Sequence, residues 1–88
     1  MSYTVTLSII HGETIELLED ERHKQRKKFG AEPLADDQAA LRIALEELGE
    51  CAKALNQGKP EEFLKELKHL AAVCIAHLDG DLHDGRQP

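Results

Sequence analysis

The pair of residues that most constrains how this 88-residue chain can fold is Gly58 and Pro60. Glycine is common just after the last residue of a helix and proline is common at the first helical position. The sequence therefore predicts that one helix ends at Gly58 and that the next begins at Pro60. Because so short a turn joins antiparallel neighbours, we expect an antiparallel helical hairpin.

The spacing of apolar residues predicts three main helices. We expect the first over about 12–30 and the third over about 60–78, while the second begins after a cap at Asp36 or Asp37. Its apolar residues recur at 4-3-4-3 spacing, a pattern typical of helix packing. They are Leu41, Leu45, Leu48, Ala52 and Leu55. The whole chain, 1–88, is predicted to be a single all-α domain.

The two ends of the chain have weaker patterns. Residues 1–10 contain a short β-branched alternation and are left unassigned, and 79–88 are predicted to be a frayed tail. The second half of the third helix is apolar on nearly every side, so we expect the first helix and a partner subunit to cover it. A domain of this size buries only about 60 to 65% of its unfolded surface, which favours a helical bundle formed by a homodimer or homotetramer.

Composition excludes several classes of protein. The net charge of −6 argues against stable nucleic-acid binding, although five of the 11 Lys and Arg residues fall within 22–28 and form a local anion-binding patch. No basic leader with a long apolar run is present, so we expect a cytoplasmic protein with no membrane partner. Cys51 and Cys74 lie within apolar helical stretches and are predicted to be core thiols.

Acidic residues occur at the same height on the two helices of the predicted hairpin. Glu47 and Glu50 share one helix face because they are three residues apart, and so do Glu66 and His69. Counted from the turn at 1.5 Å per residue, Glu50 lies at roughly 12 Å, between Glu66 at roughly 9 Å and His69 at roughly 13.5 Å. The sequence therefore predicts that three carboxylates and an imidazole converge.

Such a cluster fits a divalent cation. Carboxylate ligands suit Mg²⁺ or Mn²⁺, and His69 favours Mn²⁺ or another transition metal. Apolar neighbours along both stripes strengthen the prediction, because unpaired carboxylates near buried positions are costly. The structural alternative for His69 is a half-buried histidine hydrogen-bonded to a carboxylate.

Three segments occur in the order found in one family. They are Glu47-Leu48-Gly49-Glu50, Glu66-Leu67-Lys68-His69 and the stretch from Glu21 to Gly30. In these segments the chain resembles the MazG-like, all-α nucleotide pyrophosphohydrolase superfamily, in particular its short phage and prophage members. That family carries an ExxE motif on one helix and an ExxD motif on the next, and together they bind Mg²⁺ in contact with a nucleoside triphosphate.

The resemblance implies hydrolysis between the α and β phosphates, which releases a nucleoside monophosphate and pyrophosphate. It implies that Glu47, Glu50 and Glu66 hold the metal, with one of them serving as base for the attacking water. Phosphate contacts fall to Lys28, Arg22 and Gln25. Phe29 either stacks on a base or packs the end of the helix.

The chain departs from the family pattern at two points. His69 stands where the family has aspartate, which removes one anionic ligand. The further C-terminal helix that contacts substrate in longer members is also not recognisable. A non-catalytic helical module, acting as a nucleotide sensor or a protein-interaction scaffold, is therefore the alternative function.

Overall fold

The computed structural model describes residues 9–29 and 36–83, apart from the side chains of Phe29 and of 81–83. It contains three helices, α1 (Gly12–Phe29), α2 (Asp37–Asn56) and α3 (Pro60–His83), and the described residues form no strand. The prediction of an all-α fold is confirmed. Most of the lead-in 1–10 and the end of the tail, 84–88, lie outside the described residues.

Both ends of α2 lie next to residues that favour a helix terminus. Asp36 is its N-cap, and the Asp36 side chain accepts a hydrogen bond of 2.8 Å from the backbone N–H of Ala39. After α2 ends, Gly58 has φ +70°, a left-handed conformation that glycine adopts without steric cost. The backbone N–H groups of Gly58 and Lys59 donate to the carbonyls of Leu55 and Ala54, each at 3.0 Å. The predicted turn is therefore confirmed.

Helix α3 is longer than predicted, because it continues past Leu78 to His83. Asp79, Gly80 and Asp81 are poor helix formers, and their presence suggested an earlier end. Gly80 is buried in the folded chain. Tertiary packing of this turn therefore overrides the weak local preference.

Helix α3 packs against both of the other helices, and its closest packing uses small side chains. The buried apolar residues of the described chain are Ala40, Cys51, Ala54 and Ala72. No large side chain among the described residues is fully buried. Small residues let helix backbones approach closely. The helices therefore pack at short distances and bury few apolar side-chain atoms between them.

The 4-3-4-3 row of leucines does not pack inside this subunit. Leu41, Leu48 and Leu55 are 61%, 52% and 58% exposed, while α2 contacts α3 through the stripe that contains Ala40, Cys51 and Ala54. Cys74 is also exposed, so the prediction of a core thiol holds for Cys51 and is wrong for Cys74. In both cases periodicity identified an apolar face without indicating what covers it.

Among the described residues, no helix is both long and apolar enough to cross a lipid bilayer.

Candidate metal centre

Helices α2 and α3 bring two glutamates and a histidine to one place. The Nδ1 atom of His69 lies 3.8 Å from Oε2 of Glu47 and 3.6 Å from Oε2 of Glu66. Glu66 and His69 are three residues apart on α3 and so share a face, and Glu47 faces them from α2. One ligand atom from each residue lies within 4.8 Å of the other two.

Helix α1 supplies a third carboxylate to the same histidine. Glu21 is only 7% exposed, and its Oε2 lies 3.4 Å from Nε2 of His69. Its other oxygen, Oε1, lies 3.7 Å from Nζ of Lys68. The two ring nitrogens of His69 therefore face carboxylates from all three helices.

Sequence reasoning did not select Glu21 as a site residue. The signal was available, because Glu21 comes three residues after Leu18 and four before Gln25, and those two side chains are half-buried. That spacing marks one stripe of α1. A buried carboxylate in the middle of a highly charged segment was missed because a run of charges usually marks a solvated face.

Glu47 has the least satisfied carboxylate of the cluster. Its Oε2 atom is buried and accepts no hydrogen bond in the described structure. Burial raises the pKa of Glu47 most strongly, His69 lowers it, and the carboxylates of Glu66, Glu50 and Glu46 raise it further. A buried carboxylate oxygen that accepts no hydrogen bond favours either a proton or a bound cation.

The neighbouring thiol experiences the same negative potential. Cys51 is 2% exposed, and its pKa is raised first by burial and then by Glu66 and Glu47. The thiol therefore stays protonated and does not compete with the carboxylates as an anionic ligand.

The donor set fits a divalent cation. Carboxylate oxygens from Glu47 and Glu66 with one imidazole nitrogen from His69 suit Mn²⁺ or a similar transition metal, whereas Mg²⁺ prefers oxygen alone. Oε2 of Glu47, which accepts no hydrogen bond, is the atom that a cation would satisfy. These residues therefore fit the group that the sequence predicts.

The remaining predicted residues do not belong to this three-residue group. Glu50 is exposed and does not belong to the three-residue group, although its charge acts on Glu47. Arg22 and Gln25 are half-buried on α1, and Lys28 is exposed nearer the end of that helix. The side chain of Phe29 lies outside the described residues, so its two predicted roles remain open.

Comparisons of the chain with protein-family models, with curated proteins and with solved structures find no match.

Proposed function

We propose that the protein is a metal-dependent nucleoside triphosphate pyrophosphohydrolase that releases a nucleoside monophosphate and pyrophosphate. One observation supports the metal centre most directly, namely that Glu47, Glu66 and His69 converge while one Glu47 oxygen is buried without a hydrogen bond. The choice of reaction rests on the motif resemblance. The proposal includes a cytoplasmic homo-oligomer, a homodimer or homotetramer, in which each subunit contributes an antiparallel helical hairpin to a helical bundle.

In this proposal Glu47, Glu66 and His69 hold Mg²⁺ or Mn²⁺. When bound, the metal neutralises phosphate oxygens and makes a bound water more acidic. Glu50 is exposed beside the group and is not one of its three members, so we assign it to accept the proton of the attacking water. A carboxylate can act in this way when it is within hydrogen-bond reach of that water.

Helix α1 carries the residues that we assign to the phosphates. Arg22 and Gln25 follow Glu21, which contacts His69, by one and four positions, and Lys28 follows about one turn after Gln25. The contacts of Glu21 with Lys68 and His69 hold α1 against α3. Glu21 is thus a positioning residue that places the basic half of α1 beside the acidic cluster.

The non-catalytic module remains the second candidate because of the position of His69. A protonated His69 would face carboxylates of Glu21, Glu47 and Glu66 and would act as their counter-ion without a metal. In that case the cluster serves to hold three helices together. This version predicts no stabilisation by divalent cations and no turnover.

A product assay tests the reaction. Purified protein is incubated with a panel of nucleoside triphosphates and Mg²⁺ or Mn²⁺, and pyrophosphate is distinguished from phosphate. Glu47→Gln and Glu50→Gln should each lower turnover at least a hundredfold, in line with typical losses of a catalytic acid or base. Glu46→Gln, an exposed neighbour, is the matched control and should remain active. Unchanged activity in both site variants would rule out the assignment.

Metal binding is measured separately from catalysis. Calorimetric titration with Mn²⁺ should give one site per chain in the unaltered protein and a large loss of affinity in Glu66→Gln. A folded protein that binds no divalent cation and releases no pyrophosphate would favour the non-catalytic module.

A further inference from the structure

The α2–α3 pair carries an extended apolar surface that the described structure leaves uncovered. We call it the leucine face. Each helix contributes four large side chains that are between 36% and 61% exposed. They are Leu41, Leu45, Leu48 and Leu55 from α2, and Leu64, Leu67, Ile75 and Leu78 from α3. Single exposed leucines are ordinary on a monomer, but two aligned rows of them mark an interaction surface.

Both rows lie on the same side of the helix pair. On α2, Leu41 follows the buried Ala40 and Leu55 follows the buried Ala54. One position along a helix is a rotation of about 100°, so both leucines are turned by that angle from the buried stripe. On α3, Leu67 and Leu78 follow Glu66 and His77 in the same way.

Glu66 and His77 both face α2. His77 lies 2.8 Å from Asp37, near the start of α2, and Glu66 lies beside His69, which contacts Glu47 further along. The two helices therefore run in opposite directions. An equal rotation in antiparallel neighbours turns both rows to one side of the pair.

Helix α1 occupies the other side. It meets α3 at Lys68 and His69 through Glu21. His69 is rotated by roughly 160–180° from Leu67 and Leu78, whereas Lys68 lies on the stripe of Leu64 and Ile75 and reaches Glu21 through its long side chain. The acidic cluster and the basic half of α1 therefore lie on the side opposite the leucine face, where a partner on that face would not cover them.

Most of the leucine face is symmetric along its length. On α2, Leu41 and Leu55 lie seven residues before and after Leu48, whereas Leu45 has no counterpart because the position three residues after Leu48 is the buried Cys51. The α3 row is centred on Ala71. Leu64 and Leu78 lie seven residues to either side of Ala71, and Leu67 and Ile75 lie four residues to either side.

The two centres are level. Leu48 comes 10 residues before Gly58 and Ala71 comes 11 residues after Pro60, which places them roughly 15 Å and 16.5 Å from the turn. One axis can therefore pass both centres and exchange the two ends of each row. A surface that matches itself under a two-fold rotation is what a symmetric dimer requires.

The size and composition of this face also suit a second copy. A stable interface buries about 800 Å² per partner over roughly 20–30 residues. Helices of 20 and 24 residues side by side offer a surface of that order. Small residues, Ala52 and Ala71, lie within the rows and would allow close helix packing.

The leucine face, we propose, binds the leucine face of a second copy of this chain. The two-fold axis passes at the level of Leu48 and Ala71, so α2 packs on α2, α3 packs on α3, and the two Gly58 turns lie at opposite ends. This pairing defines the interface and the symmetry of the proposed homo-oligomer. The inference rests only on the homo-oligomer in the proposed function and not on the proposed reaction, so its test measures assembly and not turnover.

The first test is the mass in solution, measured by light scattering or sedimentation from micromolar to millimolar concentration. The unaltered protein should have twice the chain mass of 9.8 kDa. Leu48→Glu should weaken association at least a hundredfold and give a monomer. Leu17→Glu, at an exposed leucine of α1, is the matched control and should remain dimeric. Far-UV circular dichroism checks that each variant is helical.

The second test addresses the symmetry and does not depend on a destabilising variant. Ala71→Cys is introduced together with Cys74→Ser. The second change removes the exposed thiol of Cys74, so that the new thiol at position 71 is the one that can be oxidised on this face. Facing residues at the axis should form a disulfide between copies under mild oxidation, since that bond needs Cα atoms about 4.4–6.8 Å apart. Lys65→Cys in the same background is exposed away from the rows and should not form it.

Three results would overturn the proposal. The unaltered protein could be monomeric at every concentration, which would assign the face to a different partner. A dimer could survive Leu48→Glu, which would place the interface elsewhere. Failure of the 71–71 disulfide in a dimeric protein would exclude the proposed axis.

Discussion

His69 is the residue that contacts a carboxylate from each of the three helices. Its two ring nitrogens lie within 3.4–3.8 Å of carboxylates from Glu21, Glu47 and Glu66, one on each helix. A neutral His69 can ligate a cation, whereas a protonated one can only serve as counter-ion to these groups. Whether His69 ligates a cation or only pairs with these carboxylates therefore separates the metal-binding protein from the non-catalytic module.

Glu21→Gln tests how much the buried contact of α1 contributes. The substitution removes the anion that faces Lys68 and His69 while keeping the size of the side chain. Because Glu21 is buried, we expect a loss of about 1–3 kcal/mol in the free energy of unfolding, measured by urea titration. Glu19→Gln, exposed on the same helix, should change it little. Equal effects of both would show that the Glu21 contact contributes nothing specific.

The raised pKa of Glu47 predicts a pH dependence of stability in the absence of divalent cations. The folded state holds a proton on Glu47 at pH values where the unfolded chain has lost it. This contribution to stability therefore declines as pH rises from the ordinary glutamate pKa of about 4.3 to the higher pKa of the folded state.

Glu47→Gln removes that decline. Its unfolding free energy relative to the unaltered protein should increase with pH across the same window and then level off. Denaturant titrations in the presence of a chelator measure it, with exposed Glu61→Gln as control. A difference that is flat or falls with pH would mean that Glu47 titrates normally.

At the scale of the elements, α2 has two apolar faces, one packed inside the subunit and one exposed. One face carries Ala40, Cys51 and Ala54 against α3, together with Glu47. The other carries the leucines that the described structure leaves exposed. Its two ends are set by the Asp36 cap and by the turn at Gly58.

Two glycines of this region should respond to alanine in opposite directions. A Cβ at Gly49 meets nothing within 4 Å, so Gly49→Ala should stabilise the helix by about 1 kcal/mol. Gly58 has φ +70°, so Gly58→Ala should cost about 1–2 kcal/mol although space is available. Thermal unfolding followed by circular dichroism measures both changes. A loss of stability in Gly49→Ala would reveal a close approach at Gly49 that the single subunit does not show.

At the scale of the whole molecule, the described subunit has a core without large side chains. Its buried apolar residues are three alanines and one cysteine, while most of the leucines are on the outside. Apolar burial supplies most of the stability of a small domain, so this arrangement gives a marginal monomer. Pairing of the leucine face would provide the missing apolar contacts.

This predicts a melting temperature that depends on protein concentration. Mass action favours the dimer, so each tenfold increase in concentration adds about 1.4 kcal/mol per dimer and should raise the midpoint by roughly 3 °C or more. Differential scanning calorimetry over a hundredfold range measures it. Leu48→Glu should melt at a lower temperature that no longer varies with concentration, and a midpoint independent of concentration in the unaltered protein would contradict the prediction.

The features that could be predicted from the sequence are local or periodic. The N-cap of α2 and the Gly58–Pro60 turn depend on backbone chemistry within a few residues, so the turn could be placed from the sequence and the cap narrowed to Asp36 or Asp37. The Gly58–Pro60 turn also sets the relative height of α2 and α3. A cluster of Glu47, Glu50, Glu66 and His69 could therefore be predicted, but Glu50, which the height count placed level with Glu66 and His69, is exposed and is not part of the three-residue group.

What only the tertiary structure decided is which neighbour each face meets. Periodicity shows that a stripe is apolar, but burial depends on the third dimension, and here the alanine stripe of α2 packs inside while the leucine row does not. Glu21 is buried because α1 lies on α3 at Lys68 and His69, a contact between residues almost fifty positions apart. Gly80 is likewise helical and buried, which its weak local preference did not predict. The sequence thus determined the helices, their turn and the level of the acidic cluster, whereas packing between distant residues decided which surfaces are covered.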